Sequence, residues 1–257
     1  MDLRLKGRTA FVVGSTAGLG LAIAKALGSE GANVVLTGRR AGVAEEEARS
    51  LPSAIGVELD LERPETVDAA LMTARESFGE IDVLVLNGGG PVPGPASELT
   101  PERLEQATRT LLTAQVRLAN AVLPAMRAAS WGRILAIGSS GVQQPIPNLA
   151  SSNIARAGLA GYLKTLANEV AADGVTVNMI LPGRIATDRV AGLDARNAES
   201  AGVSVQEIQS QSERSIPAGR YGRAAEFADV AAFLCSDRAS YVVGAQIRVD
   251  GGLIRAL

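Results

Sequence analysis

The chain has 257 residues, a formal net charge of -2, 47% hydrophobic and 20% charged residues, one cysteine and no histidine. That length and apolar content suit a single α/β domain over 1–257 with a mainly aliphatic core. The charge balance leaves no basic excess for nucleic acid or an anionic membrane, the missing histidine excludes Ser-His-Asp triads, Cys-His dyads and His-based metal sites, and a lone Cys235 excludes an internal disulfide.

The opening residues, MDLRLKGR, lack an apolar signal core, and no run reaches the roughly 18 apolar residues that span a bilayer, so a cytoplasmic protein is expected. Thr9 to Gly20, TAFVVGSTAGLG, then takes an apolar strand into a glycine-punctuated turn and a helix. Gly14, Gly18 and Gly20 remove side chains where backbone must turn, approach a pyrophosphate and pack helix on strand; the free N–H groups of the helix favour phosphate. Ser15, Thr16 and Leu19 complete the candidate cradle. The spacing is G-x-x-x-G-x-G, so an ordinary strand–helix turn stays open until the rest of the chain is read.

Asn33 to Thr37 reads as a strand buried on both faces, followed by a helix over Ala41 to Ser50. The second strand runs into Gly38-Arg39-Arg40 with no acid, which suits the 2′-phosphate of NADP(H) over the bare ribose of NAD(H); solvated helix-start charges are the alternative. Strands of the same buried kind are predicted at Ile55 to Leu59, Ile81 to Leu86, Arg133 to Ile137, Thr176 to Leu181 and Gln246 to Val249. Between them lie helices at Pro64 to Phe78, Glu102 to Ala129 with Thr100 as N-cap, and Ser152 to Ala172. Such alternation predicts a doubly wound parallel sheet of Rossmann type, about seven strands with helices on both faces.

Ligands of these sheets bind beyond the carboxyl ends of the strands. Gly14, Gly38, Asp60, Asn87, Ser139 and Pro182 all fall there. Asp60, with Leu61 beside it, could accept from an adenine amino group or be a solvated strand-end acid. Asn87-Gly88-Gly89-Gly90 lets a dinucleotide pass against bare backbone, and the Asn87 amide can tie strand ends. Arg189 to Gly219 is polar and helical in parts, which predicts a substrate lid over residues 189–219. Gln143, Gln144 and Asn148 are candidate polar contacts, with loop solvation equally open. Cys235 reads as a small buried hydrophobe.

The stretches VVGSTAGLG, LNGGG, GRILAIGSS, VTVNMILPGRIATDR and RYGRAAEFADVAAFLCSDRASYVVGAQIRVDGG resemble the short-chain dehydrogenase/reductase family, including its β-ketoacyl carrier-protein reductases. The resemblance covers nearly the whole chain. It implies that Pro182 to Thr187 covers a nicotinamide, with Gly183, Ile185 and Thr187 in contact. It implies a homotetramer or homodimer through helices 102–129 and 152–172. It also implies a Tyr-x-x-x-Lys pair, in which the lysine lowers the tyrosine pKa so the phenol can act as general acid, with a serine on the carbonyl and an asparagine in a proton relay. Here the serine position is Ser139, but the tyrosine position falls on Ser152, the lysine position on Arg156 and the asparagine position on Leu111. The chain is identified as a divergent member lacking that pair. A serine is a far weaker acid than a phenol, and arginine does not release its proton. Tyr162 and Lys164 lie off the Ser152–Arg156 helix face.

Two readings follow. In one, an NADP(H)-dependent oxidoreductase acts on a carbonyl or alcohol, 3-oxoacyl-thioester reductase-like, through Ser139, Ser152 and Arg156 with a water as proton source. In the other, an NADP(H)-binding protein carries no hydride-transfer chemistry, and Arg156 anchors an anionic ligand or a carboxylate.

Overall fold

Alternating apolar runs leave each strand with two faces to cover, and the computed structural model, which describes residues 1–256, covers both. The elements are β1 (Thr9–Val12), α1 (Gly18–Ser29), β2 (Asn33–Gly38), α2 (Ala41–Ala48), β3 (Ala54–Glu58), α3 (Pro64–Phe78), β4 (Val83–Leu86), α4 (Pro101–Thr108), a π-helical turn (Arg109–Thr113), α5 (Ala114–Ala128), β5 (Gly132–Ile137), α6 (Ala150–Val170), β6 (Val175–Pro182), α7 (Asp188–Ala201), α8 (Val205–Ser215), α9 (Ala224–Leu234) and β7 (Gln246–Val249). The strands form one sheet in the order β3-β2-β1-β4-β5-β6-β7, and every pairing is parallel. β1 lies between β2 and β4, with Ala10 opposite both Val34 and Val83. The chain therefore winds outward from β1 in both directions, and the change of direction opens a crevice above the ends of β1 and β4.

The period of two along each strand sorts the core. Phe11 and Val13 join Leu71, Leu118, Leu159 and Leu163 on the face covered by α3, α5 and α6. Ala10 and Val12 join Ile23, Leu27, Phe227 and Ala231 on the face covered by α1 and α9. Continuous aliphatic runs are what a sheet buried on both sides requires. Cys235, just past α9, is fully enclosed in the second core, and burial pushes its thiol up to about 12. It is packing, as its sequence setting indicates.

Two expectations need correction. β3 and β7 are not buried on both faces like the inner strands: β3 is half-buried with Glu58 exposed, and Gln246 and Arg248 of β7 are exposed. Both are edge strands, with one neighbour each. The single helix expected over Glu102 to Ala129 is instead broken into α4 and α5 by the π-helical turn. The Gln115 Nε2 donates to the Thr110 carbonyl at 2.9 Å and to the Asn87 carbonyl at 3.2 Å, tying the disturbed turn to the end of β4. Such bulges recur where a helix passes a functional site.

At the opposite end of the sheet, Arg8 and Arg133 stack on the two sides of the Trp131 environment, 3.8 and 4.3 Å from its ring centre, and the Trp131 Nε1 donates to Asp237. A smaller cavity of about 400 Å³ lies among these side chains, against the one of about 1150 Å³ at the carboxyl end.

The packing of α1 on β1 depends on Gly20: a Cβ there would lie 2.3 Å from the Gly14 carbonyl oxygen. Gly20→Ala is expected to destabilise the protein by about 1–3 kcal/mol, as overpacking does. Chemical denaturation of the two proteins measures it, and equal midpoints and slopes would contradict this account of the turn.

Candidate active site

The glycine turn is braced from below. The Thr37 Oγ1 accepts from the Gly14 N–H at 3.0 Å and donates to the Val12 carbonyl at 3.1 Å. Ser15 turns inward: its hydroxyl donates to the Val12 carbonyl at 2.8 Å and accepts from the Thr37 N–H, and its own N–H donates to the Thr37 carbonyl. Ser15 is wholly buried and its hydroxyl braces β1 against β2, while Thr16 stays at the surface of the turn beside Gly38. The Asn87 Nδ2 donates to the Gly14 carbonyl at 3.1 Å, locking the ends of β1 and β4 together as its position suggested.

Above these ends lies a cavity of about 1150 Å³. Gly14, Gly18, Leu19, Gly20, Asn87, Gly88, Gly89, Ser139, Ser152, Arg156, Pro182, Gly183, Ile185 and Thr187 all line it. Thr16, Arg39, Asp60 and Leu61 lie outside its walls. Arg39 and Arg40 are exposed at the end of β2, and neither has an ion-pair partner among the described residues. The Asp60 carboxylate accepts from the Glu62 N–H and faces Arg63 at 3.5 Å. Leu61 packs against the first core beside Gly88.

Ser139 follows β5 and caps a short 3-10 turn; its Oγ accepts from the Gly141 N–H at 3.0 Å, which leaves its own proton free to be donated. Ser152 and Arg156 sit one turn apart on α6, both nearly buried. The Arg156 guanidinium donates to the Ile137 carbonyl at 2.8 Å and the Gly88 carbonyl at 3.3 Å. Its partners are strand-end carbonyls, not the carboxylate raised as one alternative. Burial, with Arg189 nearby, lowers its pKa to about 10, so it stays a cation at neutral pH. Leu111, in the π-helical turn, is buried against Ala107 and Ala155 and reaches within 3.0 Å of where a Gly88 side chain would begin.

No tyrosine or lysine lines the cavity. Tyr162 donates to Asn120 at 3.0 Å, Tyr221 donates to Asp194, and Tyr241 is fully exposed. The Lys164 amine lies over Gly244. Among the described residues, Asp188 is the one carboxylate in the wall, and no group of three or more metal-ligating side chains exists.

The segment expected as a lid is two helices, α7 and α8. Thr187 caps the first by accepting from the Val190 N–H. Sequence reasoning missed what holds α7 down. Asp194 is wholly buried; it accepts from Arg184 at 2.6 Å and from the Tyr221 hydroxyl at 2.9 Å. It also missed Arg189, whose Nη2 lies 1.9 Å from where a Cβ on Gly90 would stand, so the guanidinium rests on bare backbone. Of the loop polar groups, Gln144 and Asn148 line the cavity, whereas Gln143 bonds Gln246.

Residues 13–254 match the family described as enoyl-(acyl carrier protein) reductase. The 3-oxoacyl-(acyl-carrier-protein) reductase of Escherichia coli is 35% identical over 256 residues, covering 98% of this chain and 99% of that protein. Its namesake in Mycobacterium bovis is 35% identical, covering 96% and 92%. Among solved structures, the L-sorbose reductase of Gluconobacter frateurii, complexed with NADPH and L-sorbose, superposes with a TM-score of 0.94 at 35% identity over all of both chains. The chain belongs to the short-chain dehydrogenase/reductase family.

Asp194→Ala leaves Arg184 and the Tyr221 hydroxyl without their shared acceptor. Because Arg184 retains access to water, a loss of about 2 kcal/mol is expected, below the full cost of breaking a buried pair. Hydrogen exchange should rise in α7 before the sheet; uniform exchange across both would refute the anchoring role.

Proposed function

We propose that this member of the short-chain dehydrogenase/reductase family is an NADP(H)-dependent oxidoreductase acting on a carbonyl or alcohol substrate, with Ser139, Ser152 and Arg156 in its reaction centre. The observation that carries the reading is the continuous cavity from the glycine turn, past Gly183, Ile185 and Thr187, to Ser139 and Ser152. The cradle fits a dinucleotide: bare backbone at Gly14 and Gly18, an open surface at Gly89, and a helix N-terminus at α1. Gly14, Thr16, Gly18, Leu19 and Gly20 would hold the pyrophosphate; Arg39, Asp60 and Leu61 the adenosine end; Asn87, Gly88, Gly89, Pro182, Gly183, Ile185 and Thr187 the nicotinamide half. The relatives support NADP(H), since the sorbose reductase structure contains NADPH, and so does a guanidinium without an acid after β2. When bound, the nicotinamide supplies or accepts a hydride.

The chain's own residues would do the following. Ser139, whose oxygen is engaged by the Gly141 N–H, and Ser152 donate hydrogen bonds to the substrate oxygen. Arg156 contributes a fixed positive field to charge developing there, without exchanging its proton. A water in the cavity supplies the proton. The relatives reduce oxoacyl thioesters or a sugar, so a 3-oxoacyl-type carbonyl is the reading nearest to them.

One observation favours the second reading, an NADP(H)-binding protein without turnover. Arg156 is already bonded to two carbonyls and Leu111 is apolar, so nothing titratable stands where the family's proton relay would run. Lacking one positioned acid typically costs about 10²- to 10⁴-fold in rate. We also propose assembly as a homodimer or homotetramer through helices 102–129 and 152–172, an inference from the family resemblance.

Single-turnover mixing of the NADPH-loaded protein with β-keto thioesters, ketones and quinones is expected to give slow NADPH oxidation above the buffer rate; none across the panel would favour the second reading. Arg39→Asp is expected to weaken NADPH binding by at least about ten-fold and leave NADH nearly unchanged. Equal cofactor dissociation constants in both proteins would remove the 2′-phosphate assignment. Light scattering is expected to give a multiple of 26.4 kDa; a monomer would end the assembly proposal.

A further inference from the structure

The cavity contains more positive charge than its walls neutralise. Among the described residues, Arg156, Arg184, Arg189 and Arg196 contribute to it against one acid, Asp188. Arg184 is paired with Asp194. Among the described residues, neither Arg156, Arg189 nor Arg196 has a carboxylate within ion-pair distance. Arg189 and Arg196 lie two turns apart on α7 and so share its cavity face. Arg189 is held in the crevice by the missing side chain at Gly90, and Arg156 projects from the other wall on α6. The three are close enough to disturb one another: Arg189 lowers the pKa of Arg156, and Arg196, after burial, lowers that of Arg189.

Arg156 is buried whereas Arg189 and Arg196 are exposed and partly solvated, and the like charges that the three bring to one cavity make it attractive to an anion. Other arginines of this chain meet acids: Arg8 with Asp82, Arg117 with Asp68, Arg220 with Glu226. Arginines without an acid occur elsewhere too, Arg39 and Arg40 among them, but Arg156, Arg189 and Arg196 are the three that converge on the cavity. Planar guanidinium groups favour carboxylate and phosphate oxygens, which they bind in pairs.

We infer that the substrate is a small oxo acid whose ionised carboxylate pairs with Arg189, with Arg196 guiding it in at the mouth, while its carbonyl faces Ser139 and Ser152. This deepens the oxidoreductase reading and rests on it for the carbonyl, but not for the anion. The Gly88-Gly89-Gly90 run then has two roles. Its first two residues give room to a dinucleotide, and Gly90 gives room to the arginine. An anion at Arg189 could also come from a pyrophosphate of the bound cofactor; the two sources predict different outcomes.

The test uses the full protein saturated with NADP⁺ and titrated calorimetrically with acetoacetate, pyruvate and their methyl esters. At least one acid is expected to bind about ten-fold or more tightly than its ester, with affinity falling as salt rises. Arg189→Gln and Gly90→Ala, the second keeping every charge but displacing the guanidinium, are each expected to remove that preference, and Arg196→Gln to weaken it. NADPH dissociation constants should stay within about three-fold of the parent in all three. Equal binding of acid and ester in the parent, or an acid preference that survives both Arg189→Gln and Gly90→Ala, overturns the inference. A preference that survives while NADPH binding falls assigns Arg189 to the cofactor and also overturns it. Circular dichroism confirms folding, and Arg196→Gln decides alone if the other variants misfold. Selective acid binding without NADPH oxidation would uphold the anion site while removing the reductase reading; oxidation driven by the esters alone would do the reverse.

Discussion

A guanidinium buried between the ends of two strands governs what this site can do. Arg156 gives one hydrogen bond to Ile137 at the end of β5 and one to Gly88 beyond β4, so it closes the seam between neighbouring strands from a helix above them. The guanidinium does so with two separate nitrogens, Nη1 and Nη2, where a lysine would have to serve both carbonyls from a single atom. Burial weakens the arginine's hold on its proton without bringing it near neutrality. The cavity therefore contains a permanent charge at Arg156, and that side chain can act there through field and hydrogen bonding, not through proton exchange.

Around that fixed point the walls differ in how firmly they are held. The glycine turn is braced by Ser15, Thr37 and Asn87, each bonded to backbone of another strand or of the turn itself. The far wall, α7, depends on one enclosed carboxylate, Asp194, that receives both Arg184 and Tyr221. The first wall is redundant and stiff; the second hangs on a single acceptor. That contrast suits a site in which one ligand half is gripped and the other admitted, because regions with few anchoring bonds open at lower free energy than a core sheet does.

Much of this could be read in the sequence, for identifiable reasons. α3 and β7 were delimited to the residue, α3 because Pro64 starts it and Gly79, at φ 78°, ends it. Landmarks at strand ends converge on one crevice because parallel strands all end on the same side. The edge strands did carry a signal, Glu58 in β3 and the polar–apolar alternation of Gln246 to Val249 in β7, which reading each run as buried on both faces passed over. The π-helical turn was invisible because it depends on Gln115 reaching Thr110 and the end of β4. Ser15 looked like a phosphate ligand by position, and only the partner on β2 shows that its hydroxyl points down. Arg189 and Gly90 are far apart in sequence and neither is unusual alone, so their contact had no local signal.

The two flanks of the crevice come from different halves of the winding. The glycine turn, Arg39 and Asp60 belong to the β1–α3 half, whereas Ser139, Ser152 and Arg156 belong to β5 and α6. Between them the shared link is Asn87 at β4 and the carbonyl of the residue after it, Gly88. Such an arrangement lets lineages exchange chemistry without surrendering a nucleotide pocket: substitutions on α6 are tested by selection against a reaction, those in the first half against a ligand, and few positions answer to both. A fold divided in this way keeps the two sets of residues on separate elements, so a change on α6 can alter one wall of the crevice without touching the other.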